Sequence, residues 1–186
     1  MTLLTRELGR FAEGFALIGG LAVSVRTEPR FTRDVDLAVA CTDAEAEGLV
    51  FALQTEGYRL LHVFEHDTGR MATVRLVPPR GDDNGVLVDL LFGSSGIEAE
   101  IVAAAEHLEV LPGVVLPVAR VGHLIALKLL SVDGHRAKDA LDLDALLHGV
   151  EPAELDLCRE ALDQITARGF ARGRDLQAAL DLRLGM

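Results

Sequence analysis

Residues 18–37 read IGGLAVSVRTEPRFTRDVDL. The apolar run that ends at Ile18 is followed by Gly19 and Gly20, and then by apolar residues at helical spacing. This order predicts a strand, a glycine turn and the start of a helix. Because glycine has no Cβ, the backbone N–H groups of such a turn can approach the oxygens of a phosphate group. The alternative is a plain turn, which a double glycine more often makes.

A pair of aspartates stands at the start of the next predicted strand, residues 35–40. Side chains two positions apart in a strand point to the same face, so Asp34 and Asp36 hold their carboxylates side by side. The two charges repel each other unless a cation or solvent compensates them. A magnesium ion bound jointly by carboxylates and substrate phosphates is one such cation. The alternative is a solvated strand end whose aspartates pair with Arg30 or Arg33.

A third aspartate, Asp89, lies inside a nearly unbroken apolar strand at residues 86–92. An unpaired charge in a buried strand is costly, so something must compensate it. If the two strands are neighbours, Asp89 joins Asp34 and Asp36 in one cluster. Such a cluster can hold two magnesium ions for in-line phosphoryl displacement, with Asp89 also acting as base toward the attacking hydroxyl. The alternative is a residue at a strand edge that faces water.

Hydrophobic periodicity and turn residues predict the other elements. Beyond an opening helix, strands are predicted at residues 58–65, 71–77, 86–92, 108–111 and 114–118, and helices at residues 44–56, 97–105, 121–132, 136–147, 152–167 and 174–184. We therefore expect an α/β (α+β) fold, with a mixed twisted β-sheet and flanking helices in residues 1–119. A helical segment at residues 120–186 is expected to pack on this core.

Lys128 is the only formally charged residue between positions 121 and 132. A lysine on such an apolar helix either extends outward to water or meets an anion, and a triphosphate would satisfy it. The charged residues at positions 136–142 are open to two interpretations. They form either part of a functional site or an ordinary helix surface with a Lys138–Asp142 pair.

Charge and composition restrict the partners and the compartment. The net charge of −11 opposes a phosphate backbone over most of the surface, so nucleic-acid contact needs a local basic cluster such as Arg168, Arg172 and Arg174. A solvated helix junction is the other interpretation of that cluster. Cys41 and Cys158 lack metal-type spacing and fit a reducing cytosol. No apolar stretch is long enough to span a membrane, so we expect a cytoplasmic protein.

Taken together, these motifs resemble the DNA polymerase β-like nucleotidyltransferase superfamily. The resemblance consists of Ile18-Gly19-Gly20, then Asp34-Val35-Asp36-Leu37 after thirteen residues, and Asp89 in a later strand. Two further features narrow the resemblance to one branch of the superfamily. They are the sequence Arg30-Phe31-Thr32-Arg33 before Asp34, and residues 124–128 and 136–143. This version resembles the abortive-infection toxin branch, whose members act with a partner antitoxin.

The resemblance implies a five-stranded or similar mixed sheet and a magnesium-dependent enzyme. Such an enzyme transfers a nucleoside monophosphate from a nucleoside triphosphate to RNA or protein, with two magnesium or manganese ions. The implied metal ligands are Asp34, Asp36 and Asp89, and the implied nucleotide-binding residues are Gly19, Gly20, Thr32, Arg33 and Lys128. Gly20 departs from the superfamily, because many members have serine there. A small-molecule (antibiotic-type) nucleotidyltransferase and a non-catalytic nucleotide-binding module are the alternatives.

Overall fold

The structure is a computed structural model that describes residues 2–30, 32–66, 69–79, 85–131 and 137–186. Most of the predicted loop at residues 78–85 lies outside the described residues, as do Phe31 and Arg136. The remaining predicted site residues are all described.

Helices and strands are mixed through the first part of the chain, and the elements after β7 are helices. The helices are α1 (Thr2–Phe11), α2 (Gly19–Arg26), α3 (Asp43–Thr55), α4 (Glu98–Ala103), α5 (Val121–Ser131), α6 (Ala137–Leu147), α7 (Pro152–Ala167) and α8 (Leu176–Leu184). The strands are β1 (Gly14–Ile18), β2 (Asp34–Ala40), β3 (Arg59–Glu65), β4 (Met71–Val77), β5 (Leu87–Leu91), β6 (Glu106–Leu111) and β7 (Val114–Val118). Within the described ranges, no helix combines the length and the apolar character that crossing a membrane requires.

The strands form one mixed sheet in the order β3-β4-β5-β2-β1-β7-β6. β2 is parallel to β5 and β1 is parallel to β7, whereas the other neighbouring pairs are antiparallel. The predicted mixed α/β fold with a C-terminal helical segment is confirmed. The resemblance implied a five-stranded or similar sheet, and the sheet has seven strands. The reason is that the β6–β7 hairpin extends it beyond β1, through the register pair Leu17 and Val118.

Helix starts follow the side chains that cap them. The Thr42 hydroxyl accepts from the N–H of Glu45 at the start of α3, and the Glu45 carboxylate accepts from the N–H of Thr42 at 2.7 Å. Thr42 and Glu45 thus form a capping box at the start of α3. α8 begins two residues later than predicted because the Asp175 side chain accepts from the N–H of Ala178 and so sets the first turn.

Helix α5 links the C-terminal helices to the sheet and to α2. Leu124 and Ile125 are fully buried in this helix. Gly122 lets α5 approach α7 closely, since a Cβ at this position would overlap the carbonyl oxygen of Glu154. The tight α5–α7 contact fixes the position of α5, and with it the position of Lys128.

Candidate active site

Three charged side chains lie in a row across neighbouring strands. Asp36 of β2 is the parallel register partner of Asp89 of β5, and Asp89 is the antiparallel register partner of Arg75 of β4. Register partners point to the same face, and neighbouring strands lie about 4.8 Å apart. Asp34 precedes Asp36 by two residues and points to that face as well. The structure therefore brings together the three aspartates of the sequence analysis, and it adds Arg75.

The ionised form of Asp36 is unfavourable in this position. Burial and, after it, the negative charges of Asp89 and Asp34 raise the pKa of Asp36 from 3.8 to about 7. The positive charges of Lys128 and Arg75 act in the opposite direction. A further cation beside Asp36 would favour its ionised form and relieve this repulsion.

The glycine turn lies directly against the acidic side chains. Gly19 begins α2 with a φ of +65°, and any Cβ there would overlap Oδ2 of Asp36. A Cβ on Gly20 would lie 2.8 Å from Nη2 of Arg30 and 3.2 Å from Oγ1 of Thr32. A serine at position 20 would therefore crowd Arg30. The predicted strand, glycine turn and helix are confirmed, and the two glycines leave the space that Asp36 and Arg30 use.

Asp89 is bound through both of its carboxylate oxygens to Arg75. Nε of Arg75 donates to Oδ1 at 2.8 Å, and Nη2 donates to Oδ2 at 2.6 Å. Asp89 is only 6% exposed, so this pair supplies the compensation that a charge inside the strand requires. Arg75 was not among the residues predicted to form the site. Its only signal was a single arginine inside the otherwise uncharged strand at residues 71–77.

Of the two interpretations of Lys128, contact with an anion is the one observed. The anions are carboxylates of the protein itself. Its Nζ lies 2.6 Å from Oδ1 of Asp139 and 2.7 Å from Oδ2 of Asp142. Nη2 of Arg30 lies 2.7 Å from the same Oδ2 of Asp142. Asp142 thus pairs with Lys128 and Arg30, in place of the predicted Lys138–Asp142 surface pair.

The two other predicted nucleotide-binding residues lie in the segment that leads into β2. Thr32 is half-buried beside Gly20, and Arg33 is exposed. The structure therefore places Gly19, Gly20 and Thr32 next to one another. Lys128 extends from α5 and is close enough for its charge to act on Asp36. The roles of all these residues toward a nucleotide stay predictions.

The oxygen ligands of this site suit a hard divalent cation. Asp34, Asp36 and Asp89 offer the carboxylates that magnesium and manganese prefer. Among the residues that the structure describes, no three acidic, histidine or cysteine side chains are already arranged as a metal site. The guanidinium of Arg75 contacts both oxygens of Asp89. The carboxylates therefore fit such a cation on the condition that Arg75 releases Asp89.

Comparison with known proteins connects this geometry to a family. The family model described as nucleotidyl transferase AbiEii toxin, Type IV TA system, matches residues 2–183. The match covers the glycine turn, all three aspartates and Lys128. A comparison with curated protein sequences finds no match.

Solved structures share the fold at low sequence identity. An antigenic nucleotidyltransferase-like protein from Paracoccidioides brasiliensis has a TM-score of 0.55 at 18% identity, over 97% of this chain and 89% of that one. The antibiotic-resistance factor ANT(2'')-Ia in solution has a TM-score of 0.52 at 17% identity, over 89% and 92% of the two chains. In complex with adenylyl-2''-tobramycin, ANT(2'')-Ia has a TM-score of 0.51 at 16% identity, over 88% and 98%. At this identity the likeness concerns the fold alone.

Proposed function

The chain belongs to the AbiEii nucleotidyl transferase toxin family, and from this premise we propose that it transfers a nucleoside monophosphate from a nucleoside triphosphate to RNA or protein. The observation that carries the proposal is the register of β2 and β5, which sets Asp36 beside Asp89 with Asp34 on the same face. Carboxylates gathered on one face next to a phosphate-binding turn support in-line phosphoryl displacement.

Within this proposal the three aspartates hold magnesium or manganese. Bound divalent cations neutralise charge on the phosphates and stabilise the attacking and leaving oxygens of the displacement. Asp34 and Asp36 serve as ligands. Asp89 serves as a ligand and accepts the proton of the attacking hydroxyl, for which its carboxylate must first leave the guanidinium of Arg75.

The triphosphate lies against the glycine turn in the same proposal. The backbone N–H groups of Gly19 and Gly20 stand at the N-terminus of α2, which favours anions. Thr32 and Arg33 add a hydroxyl and a cation from the loop before β2. Lys128 adds positive charge from α5, where its ammonium group also holds two buried carboxylates.

Membership of a toxin–antitoxin family supports a regulated activity. We therefore include in the proposal an antitoxin protein that restrains the enzyme, and a cytoplasmic location. The free thiols of Cys41 and Cys158 agree with a reducing compartment.

A labelling experiment tests the reaction. The protein is incubated with magnesium and each of the four labelled nucleoside triphosphates, in the presence of total RNA, total protein or aminoglycosides. We expect label in the RNA or protein pool and none with Asp36→Ala. Label in no pool would contradict nucleotidyl transfer, and retained labelling by Asp36→Ala would contradict the assigned site.

A small antibiotic-type acceptor is the second candidate. ANT(2'')-Ia, which shares the fold, was solved with adenylyl-2''-tobramycin. The net charge of −11 also favours a cationic acceptor over a nucleic acid. Label in the aminoglycoside pool alone would select this candidate. A non-catalytic nucleotide-binding module is the third, and equal binding of magnesium and triphosphate by the parent protein and Asp36→Ala would favour it.

A further inference from the structure

Arg75, which is partly exposed, is held less firmly than Lys128, the buried cation of the site. Lys128 lies between two carboxylates, Asp139 and Asp142, and its side chain is 11% exposed. Arg75 pairs with Asp89 among the residues that the structure describes, and 34% of its side chain is exposed. Arg75 therefore has an open side toward solvent, and its bidentate pair with Asp89 holds it in place.

Arg75 lies where it would interact with both proposed ligands, the divalent cation and the triphosphate. Its guanidinium occupies both oxygens of Asp89, and its charge also acts on Asp36. A divalent cation bound to Asp89 would lie next to this like charge, which opposes binding. A triphosphate would offer the planar guanidinium an alternative anion, and arginine binds phosphate through two parallel hydrogen bonds.

We propose that Arg75 is a further nucleotide-binding residue, which gives up Asp89 to a divalent cation and turns to a phosphate oxygen of the triphosphate. This inference rests on the function proposed above. It predicts opposite effects of Arg75 on the binding of the two ligands. Removing the guanidinium should tighten the binding of the cation alone and weaken the binding of the phosphate chain.

Calorimetric titration measures the two binding affinities separately and does not require turnover. The first probe is manganese ion alone, and the second is magnesium tripolyphosphate, which avoids the choice of a base. The variants are Arg75→Gln and, in case that protein does not fold, Arg75→Lys, which keeps the charge and loses the bidentate contact. Arg70→Gln is the matched control because Arg70 makes an exposed bidentate pair with Asp43 outside the site.

The guanidinium of Arg75 occupies both oxygens of Asp89 and repels a cation beside them, so we expect Arg75→Gln to bind manganese at least about tenfold more tightly. A lost charge-assisted hydrogen bond should weaken tripolyphosphate binding by about tenfold or more. Arg75→Lys should change both in the same directions by less, and Arg70→Gln should change neither.

Each result has a distinct meaning. Unchanged or weaker manganese binding by Arg75→Gln would overturn the inference, because Arg75 would then not compete for Asp89. Tighter manganese binding with unchanged tripolyphosphate binding would overturn the exchange and leave Arg75 as a counter-ion. Absence of both kinds of binding in the parent protein would contradict the proposed function itself.

Discussion

Asp36 and Asp89 are register partners in the parallel strands β2 and β5, and the charge of Asp89 is the largest electrostatic contribution to the raised pKa of Asp36, second to burial. Ordinary strand pairing thus places two carboxylates side by side on a sheet face. The arrangement costs stability when both carboxylates are ionised.

Asp36→Asn should stabilise the protein in alkaline solution. The pKa of Asp36 is about 7 in the folded protein and 3.8 in the unfolded chain. The stability that this residue contributes is therefore complete below pH 3.8 and is lost as the pH rises through 7. At pH 8 we expect Asp36→Asn to exceed the parent protein by up to about 4 kcal/mol in the free energy of unfolding. At pH 4 the two should be nearly equal. Urea titrations at both pH values measure this, with exposed Asp144→Asn as control; a variant less stable at pH 8 would contradict the assignment.

Gly19→Ala should destroy the site, whereas Gly113→Ala should spare it. Both glycines have positive φ, so each substitution costs about 1–2 kcal/mol of backbone strain. Only at Gly19 does the new Cβ overlap Asp36, because nothing lies within 4 Å of the corresponding position at Gly113. We expect both variants to lose stability in urea, Gly19→Ala by more because of the overlap, and only Gly19→Ala to lose nucleotidyl transfer. Equal activity in the two variants would show that the turn does not position Asp36.

Lys128→Met should destabilise the protein strongly, because it leaves Asp139 and Asp142 without their shared cation. Removing one partner of a buried ion pair typically costs about 3–5 kcal/mol. Adding Asp139→Asn should restore part of this loss, since Asp142 keeps Arg30 at 2.7 Å. Chemical denaturation of both variants tests the prediction. A loss no larger in Lys128→Met than in Arg183→Met, at an exposed surface pair, would contradict it.

His123 should make the protein sensitive to acid. Burial, assisted by the charge of Arg120, lowers the pKa of His123 from 6.5 to about 4. The unfolded chain therefore binds a proton more readily, and the stability contributed by neutral His123 is complete above pH 6.5 and is lost as the pH falls to 4. His123→Phe should reduce the decrease in melting temperature between pH 7 and pH 4. An unchanged decrease would mean that another group causes acid sensitivity; exposed His148→Phe is the control.

Gly122→Ala should disturb the contact between α5 and α7. The added methyl group would overlap the carbonyl oxygen of Glu154, and overpacking of this kind costs about 1–3 kcal/mol. Gly9→Ala is the matched control because Gly9 lies in α1 with nothing within 4 Å of an added Cβ, and there alanine should gain up to about 1 kcal/mol. Thermal unfolding of both variants measures the difference. A neutral Gly122→Ala would show that the helices can separate at little cost.

Local sequence patterns were sufficient for most helices and strands. The helix predicted at residues 152–167 is α7, and the strands predicted at residues 58–65 and 71–77 are β3 and β4. Both depend on periodicity and turn residues that lie close together in the chain. The start of α8 was misplaced because a single capping aspartate, Asp175, outweighed the apolar pattern.

Pairing between distant segments was beyond such patterns. Residues 71–77 could be assigned to a strand, but nothing near Arg75 specifies that its neighbour is Asp89. In the same way, an apolar helix shows that Lys128 needs an anion without showing that Asp139 and Asp142 supply it. The partners of charged groups emerged only from the register of the sheet and the packing of α5 against α6 and α7.

The order of these segments along the chain has a consequence for biosynthesis. Asp34, Asp36 and Asp89 leave the ribosome well before the helix that carries Lys128, and Asp142 follows later still. A nascent polypeptide that has folded its sheet but not its last helices therefore holds the acidic cluster without the ammonium group that partly offsets it. The positive charge of Lys128 can therefore act on Asp36 only after α5 has been synthesised.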